Sequence, residues 1–264
     1  MSEILFDHST PVATLTFNKP EKANAFDPAW LPSMIEFMTA VDTDPAVRCV
    51  LVRGNGKHFM AGGDLGSIDQ TMRMGPTQRA LTVSAPIHLY NQFGRVLRRF
   101  SKPIVASVQG AVAGAAVGLT AACDLIIAAD SAFFFVAHAL HGGTVDGLTT
   151  YFLPRQIGMR RAMELALLAD RVPAAEAQRI GLVNFVVPAA QLEAETDKLV
   201  QRLASGPTRA YGLIRNEILA SLDHSLEEQG RLEAEGYAAA ALTEDWTEGL
   251  TAFFAKRKPA FKGA

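Results

Sequence analysis

Two short turns of small residues constrain this chain more than any other feature. The first is His58-Phe59-Met60-Ala61-Gly62-Gly63-Asp64-Leu65, and the second is Gly110-Ala111-Val112-Ala113-Gly114-Ala115-Ala116-Val117-Gly118. Each follows an apolar β-type run, Cys49-Val50-Leu51-Val52 and Ile104-Val105-Ala106-Ser107-Val108, and each precedes a helix-like segment. A turn of this kind leaves backbone N–H groups unpaired at the start of a helix, where the helix dipole also favours negative charge. Two such N–H groups aimed at one point form an oxyanion hole, suited to a developing enolate oxygen.

Composition allows one large domain. The 264 residues are 49% hydrophobic and 20% charged, which is ordinary for a soluble globular chain with a substantial core. A net charge of -2 gives no nucleic-acid footprint, so a polyanionic ligand needs a local basic patch. Cys49 and Cys123 lie in apolar runs without disulfide-framework or metal-ligand spacing, so reduced core thiols and no bound metal are expected. Met1-Ser2-Glu3-Ile4-Leu5 lacks a signal-peptide pattern. The stretch from Ile104 to Ala129 is the most apolar, but Gln109, three glycines and Asp124 interrupt it. These features predict a cytoplasmic protein without a membrane span.

Along the chain, Val12-Ala13-Thr14-Leu15-Thr16-Phe17 alternates as a strand does. Asp27-Pro28 reads as a cap with proline at the first helical position, predicting a helix to about Val41. A long helix is expected from Thr77 to Arg99 after Gly75-Pro76, and a strand at Asp124-Leu125-Ile126-Ile127-Ala128. Strands alternating with helices predict βα units and a mainly parallel sheet. After about Gly147 the pattern turns helical, with Gly206-Pro207 separating two helices. The last third either caps the first part or packs on another subunit.

With these pieces in place the chain resembles the crotonase (enoyl-CoA hydratase/isomerase) superfamily from Val12 to Phe261. The matching pieces are Asn24-Ala25-Phe26, the Phe59 to Leu65 turn, Lys102-Pro103-Ile104-Val105-Ala106, the Gly110 to Gly114 turn, Cys123-Asp124-Leu125-Ile126, Leu153-Pro154-Arg155, Ala174-Ala175-Glu176-Ala177 with Gly181-Leu182-Val183, and Phe253-Phe254-Ala255-Lys256-Arg257-Lys258-Pro259. The resemblance implies an α/β fold, a crotonase-type spiral of ββα units over residues 1–200, with a helical C-terminal region over 201–264 used for trimerisation. It implies an acyl-CoA partner, with coenzyme A present only as part of the substrate and no further cofactor. It also implies a homotrimer or a dimer of trimers, binding neither nucleic acid nor membrane. By position, the N–H groups of Gly63 and Ala115 are the oxyanion donors. Contacts to the acyl-CoA fall to Lys22, Ala23, Ala25, Ala61, Gly62, Asp64, Leu65 and Gly114. Phe253 and Lys256 are assigned to its nucleotide end, across a subunit boundary.

The fold hosts many reactions, so the reaction must come from the site. Hydratases of the family use two glutamates around one water. Counted from Cys123-Asp124, those positions hold Gly118 and His138, so the usual water addition lacks both carboxylates. Asp146 stands where several family isomerases and the 4-chlorobenzoyl-CoA dehalogenases carry their working aspartate. Read alone, Asp146 ahead of Gly-Leu-Thr-Thr-Tyr is a helix N-cap. The chain most resembles single-aspartate isomerases of the epoxyphenylacetyl-CoA isomerase type. In that reading Asp146 removes a proton α to the thioester and returns it at the far end of the allyl system. The departure from that type is Gly147-Leu148-Thr149-Thr150, where a Cys-Gly-Gly-Thr type sequence is expected.

Two alternatives stand beside it. A hydrolase or dehalogenase using Asp146 meets Asn91 where that group has its histidine base and His138 where it has a tryptophan; His88 serves only if the helix is shifted. A non-catalytic acyl-CoA binder is the other. Of the remaining titratable residues, His138 is better placed than His141. Phe133-Phe134-Phe135 reads as core and Arg160-Arg161 as a solvated helix start.

Overall fold

The computed structural model describes residues 2–63 and 65–264, the side chains of residues 65–68 excepted. Its strands are β1 (Ile4–Asp7), β2 (Val12–Phe17), β3 (Cys49–Gly54), β4 (Ile104–Val108), β5 (Ala111–Ala113), β6 (Leu125–Ala129), β7 (Phe133–Phe135), β8 (Val172–Pro173) and β9 (Phe185–Val187). The helices are α1 (Leu31–Thr43), α2 (Leu65–Met72), α3 (Pro76–Arg99), α4 (Ala115–Ala121), α5 (Thr149–Leu168), α6 (Ala174–Arg179), α7 (Leu192–Ala204), α8 (Thr208–Ala220), α9 (Leu226–Ala241) and α10 (Glu244–Phe254).

A six-stranded sheet runs in the order β1-β2-β3-β4-β6-β9, parallel except for the β1–β2 hairpin. A three-stranded sheet, β5-β7-β8, lies beside it. The expected ββα repeat is visible in this division. β4 enters the large sheet, β5 the small one, and α4 follows; β6 and β7 do the same ahead of α5. Parallel strands covered on both faces read as continuous apolar runs. That is why Cys49–Val52 and Ile104–Val108 are buried throughout and apolar but for Ser107, whose hydroxyl pairs with that of Thr196 at 2.8 Å. The main core fills one face of the large sheet, and α7 covers the other through Val200 and Ala204 against Cys49, Leu51, Val105 and Ile127.

Most element boundaries follow the local signals. Asp27 accepts a hydrogen bond from the Ala29 N–H at 2.9 Å, and the chain makes one 3₁₀ turn before α1. Three features differ from expectation. β1 exists because it pairs with β2, although three of its four residues are exposed and carry no core pattern. Phe134 is core, but Phe133 and Phe135 are half-buried, and the Arg171 guanidinium lies 4.9 and 5.8 Å from their ring centres. The helix after Asp146 is not capped by it: α5 begins at Thr149, behind Leu148 at φ 56°, with no side-chain cap.

Both cysteines are buried and free. Burial, reinforced by Asp124, pushes the Cys49 thiol up to about 12 and raises Cys123 as well. Among the described residues no helix is long and apolar enough to cross a membrane.

One buried ion pair ties α8 to the core. Arg215 donates to Asp124 at 2.7 Å and to the carbonyls of Leu97 and Phe100 at 2.6 and 2.7 Å. Burial raises the Asp124 carboxyl, and Arg215 opposes that shift. Removing the guanidinium takes the charged partner from the Asp124 carboxylate, which keeps the Ile104 N–H at 2.8 Å, and a donor from each of two carbonyls. Arg215→Ala is therefore expected to cost about 3–5 kcal/mol, read as a lower urea midpoint at unchanged slope. A midpoint equal to the parent's contradicts this account.

Candidate active site

The site is built where the two glycine turns cross. Met60 donates to the Ala111 carbonyl at 3.0 Å, and Ala113 donates to the Met60 carbonyl at 2.9 Å. The segments then approach until Gly62 and Gly114 touch. A Cβ on Gly114 would stand 3.3 Å from the Gly62 Cα, and both glycines have positive φ, 99° and 58°. Larger residues satisfy neither demand. A third segment joins them: Ala61 donates to the Ala23 carbonyl at 3.0 Å and Phe26 to the Gly62 carbonyl at 2.8 Å.

Asn24 pins this junction. It is fully buried at φ 54°, and its amide donates to the carbonyls of Asn55, His58 and Phe59 at 2.9, 2.8 and 3.1 Å. His58 Nδ1 accepts from the Ala111 N–H at 3.0 Å, and burial holds that imidazole below its ordinary range.

The crossing presents two amides. Ala115 is the first residue of α4, so its N–H has no partner within the helix. The bridge to Phe26 runs through the Gly62 carbonyl and leaves the Gly63 N–H outside it. Among the described residues neither amide donates to a backbone carbonyl. A Cβ built on Gly63 meets nothing within 4 Å, so the space beside it is open.

Asp146 arrives at the same place through its neighbour. Gly147, at φ 64°, packs so closely that a Cβ there would lie 3.1 Å from the Ala115 Cβ and 3.2 Å from Tyr90 Cε1. Tyr90 in turn donates to the Ala115 carbonyl at 3.1 Å. Burial, followed by the charge of Asp146, raises the Tyr90 phenol, so it stays a neutral donor. Asp146 uses its backbone carbonyl to accept from the Thr149 N–H at 3.1 Å. Its side chain is thus left for His138, whose Nε2 lies 3.0 Å from Oδ1. Side-chain exposure is 35% for Asp146 and 11% for His138, so the pair is partly shielded from water.

Gly118 is sealed. A Cβ there would lie 2.5 Å from the Gly147 carbonyl oxygen and against the Thr149 hydroxyl. Restoring the hydratase carboxylates with Gly118→Glu and His138→Glu is therefore expected to yield no hydratase. The Gly118 change alone should destabilise by about 1–3 kcal/mol or more through overpacking beside α5. A thermal melt and a crotonyl-CoA hydration assay check both statements.

The structure brings Ala61, Gly62, Gly63, Gly114, Ala115, His138 and Asp146 together, with Ala23 and Ala25 on the adjoining segment. Lys22 is exposed at the end of a 3₁₀ turn in that segment. Asp64 and the Leu65 side chain lie outside the described residues. Among the described residues, no hydrogen bond, ion pair or ring contact joins the site to Phe253 or Lys256. Phe253 is 75% exposed against Phe254, and the tail beyond turns back to Asp245 and Arg48. His141 and His88 are exposed, and Asn91 is half-buried on α3. Sequence reading does not single out Tyr90 or Thr149. Tyr90 looks like one more apolar-face residue of α3, and only the fold sets its hydroxyl on Ala115. Two clefts of about 340 and 410 Å³, beside α8 and beside the N-terminal end of α7, are separate from Asp146.

A spiral α/β fold in which two glycine turns cross, with a carboxylate one residue from the Gly147 that packs on Ala115, defines the class. A sequence model of the enoyl-CoA hydratase/isomerase family matches residues 7–264, and the chain belongs to that family. It is similar to 1,2-epoxyphenylacetyl-CoA isomerase of Escherichia coli K12, 35% identical over 100% of both chains. It is also similar to trans-2-decenoyl-acyl-carrier-protein isomerase of Streptococcus mutans, 34% identical over 99% of this chain and 98% of the other. The crystal structure of an enoyl-CoA hydratase from Bacillus anthracis superposes with a TM-score of 0.90 over 100% of both chains at 29% identity. The family's relatives include isomerases, hydratases and dehalogenases, so membership leaves the reaction open.

Proposed function

We propose that the chain is an acyl-CoA isomerase that moves a double bond through a thioester enolate. Asp146 takes a proton from the carbon α to the thioester of a 3-enoyl substrate. The electron pair moves onto the thioester oxygen, which the Gly63 and Ala115 N–H groups hold. The proton returns at the γ carbon, the carbonyl re-forms, and the double bond then lies between the α and β carbons. Atoms and electrons balance without water or an electron carrier, so coenzyme A enters only as part of the substrate. Similarity to 1,2-epoxyphenylacetyl-CoA isomerase adds ring-epoxidised arylacetyl thioesters to the substrates to assay.

The observation that carries this reading is the pairing of one partly exposed carboxylate, Asp146, with the Ala115 turn, while Gly118 leaves no room for a second. Phe253 and Lys256, remote from that turn within one chain, would serve the nucleotide of a substrate bound to a neighbouring subunit in a trimer or dimer of trimers. The test is incubation with a panel of acyl-CoAs in deuterated water, followed by mass spectrometry. The expected result is exchange at the α and γ carbons with isomer formation. Crotonyl-CoA should not be hydrated at an ordinary enzyme rate of roughly 10² s⁻¹. Efficient hydration, or a covalent adduct on Asp146 without α exchange, defeats the reading.

A further inference from the structure

We propose that His138 is a positioning residue that reserves one oxygen of Asp146 and so makes the other oxygen the sole proton shuttle; this rests on the isomerase reading above.

The two carboxylate oxygens have different surroundings. Oδ1 is 3.0 Å from His138 Nε2, whereas among the described residues Oδ2 accepts no hydrogen bond, and the side chain is 35% exposed. An ionised carboxylate only accepts, so Nε2 is the donor in this contact. Nδ1 is buried and, among the described residues, has no hydrogen-bond partner. The ring is therefore oriented by the Asp146 contact and by packing. Its Cε1 would lie 3.8 Å from a Cβ on Gly114, directly behind the oxyanion turn. The ring is held in the 3₁₀ turn Ala137–His141, whose chain reverses at Gly142. Among the described residues no other group donates to the carboxylate, and Tyr90 is committed to the Ala115 carbonyl.

The mechanical consequence concerns rotation. The terminal torsion of an aspartate is broad and nearly two-fold, so an untethered carboxyl exchanges its oxygens easily. A proton taken by either oxygen could then swing away from the substrate. With Oδ1 held, the C–H bond at the α carbon breaks to Oδ2 and its electron pair moves to the thioester oxygen. The same Oδ2–H bond breaks when the γ carbon is protonated, and the electrons return from the oxyanion. The proton has one carrier throughout.

The test uses α-deuterated 3-enoyl-CoA in ordinary water with the parent, His138→Ala, His138→Asn, His138→Gln and Asp146→Asn proteins. Folding is checked by melting, and affinity with a non-reacting thioether analogue of the acyl-CoA. The parent is expected to deliver part of the α label to the γ carbon. His138→Ala and His138→Asn should lose that transfer and lower kcat about tenfold to a hundredfold, the loss expected for one charge-assisted hydrogen bond. Analogue affinity should stay within about twofold, because the lost bond is to the base and not to the ligand. His138→Gln should restore both kcat and label transfer, since the glutamine amide nitrogen takes the place of Nε2. A residue that merely packs would not distinguish glutamine from asparagine in this way. The proposal is overturned by a His138→Ala protein with parental kcat and label transfer, by better rescue from asparagine than from glutamine, or by a parent product without γ label. Exchange retained in Asp146→Asn instead overturns the base assignment itself.

Discussion

Asp146→Asn is expected to abolish isomerisation while leaving acyl-CoA binding in place. Asparagine keeps the volume of the side chain, and its amide oxygen still accepts from His138 Nε2, which lies 3.0 Å from Oδ1 in the parent. The backbone bond from the Asp146 carbonyl to the Thr149 N–H is untouched, so the turn into α5 should persist. What disappears is the carboxylate oxygen Oδ2, which among the described residues accepts no hydrogen bond. Loss of a general base typically lowers turnover by about 10²–10⁴. The measurement is kcat on a 3-enoyl-CoA beside the dissociation constant of a non-reacting thioether analogue. Turnover close to the parent's removes Asp146 from the mechanism and leaves His138 as the group to test. Loss of analogue binding would mean that the turn at Gly147, which packs on Ala115, has moved.

Ala115→Pro is expected to cripple turnover more than it perturbs the fold. Ala115 is the first residue of α4, where the fixed φ of proline is compatible with a helix. Gly114 precedes it at φ 58° and ψ -129°, outside the α conformation that a following proline disfavours. The carbonyl that Tyr90 holds at 3.1 Å is retained. The one deletion is the N–H that should face the thioester oxygen. Loss of one such donor costs about 2.7–4 kcal/mol in the transition state, or a factor of about 10²–10³ in kcat. Affinity for the ground-state thioester should fall less, because a neutral carbonyl gains less from the donor than an enolate does. A folded variant with kcat within a few-fold of the parent would reduce Ala115 to a packing residue.

The sequence by itself determined the order of elements and the family. Each is a local property: an apolar run covered on both faces, an Asp-Pro helix start, a glycine turn after a strand. The two turns could be read because only glycine tolerates the positive φ at residues 62 and 114, so backbone geometry is written into residue type. β1 could not be read, because its stability comes from pairing with β2 and not from a pattern of its own.

The tertiary structure alone decided what the acid touches. Asp146-Gly147-Leu148 spells an N-cap, yet Leu148 takes a left-handed conformation and α5 starts uncapped. Leu148 settles there because its side chain fills the space left by Gly94 on α3, far away in sequence. The carboxylate is thereby freed for His138, eight residues earlier and buried by a different turn. Likewise, a glycine at 118 shows only that a glutamate is missing; the Gly147 carbonyl and the Thr149 hydroxyl against it show that none fits. The sequence names the groups, but whether a polar side chain caps a helix, pairs with a neighbour or faces a substrate depends on which distant segments pack beside it.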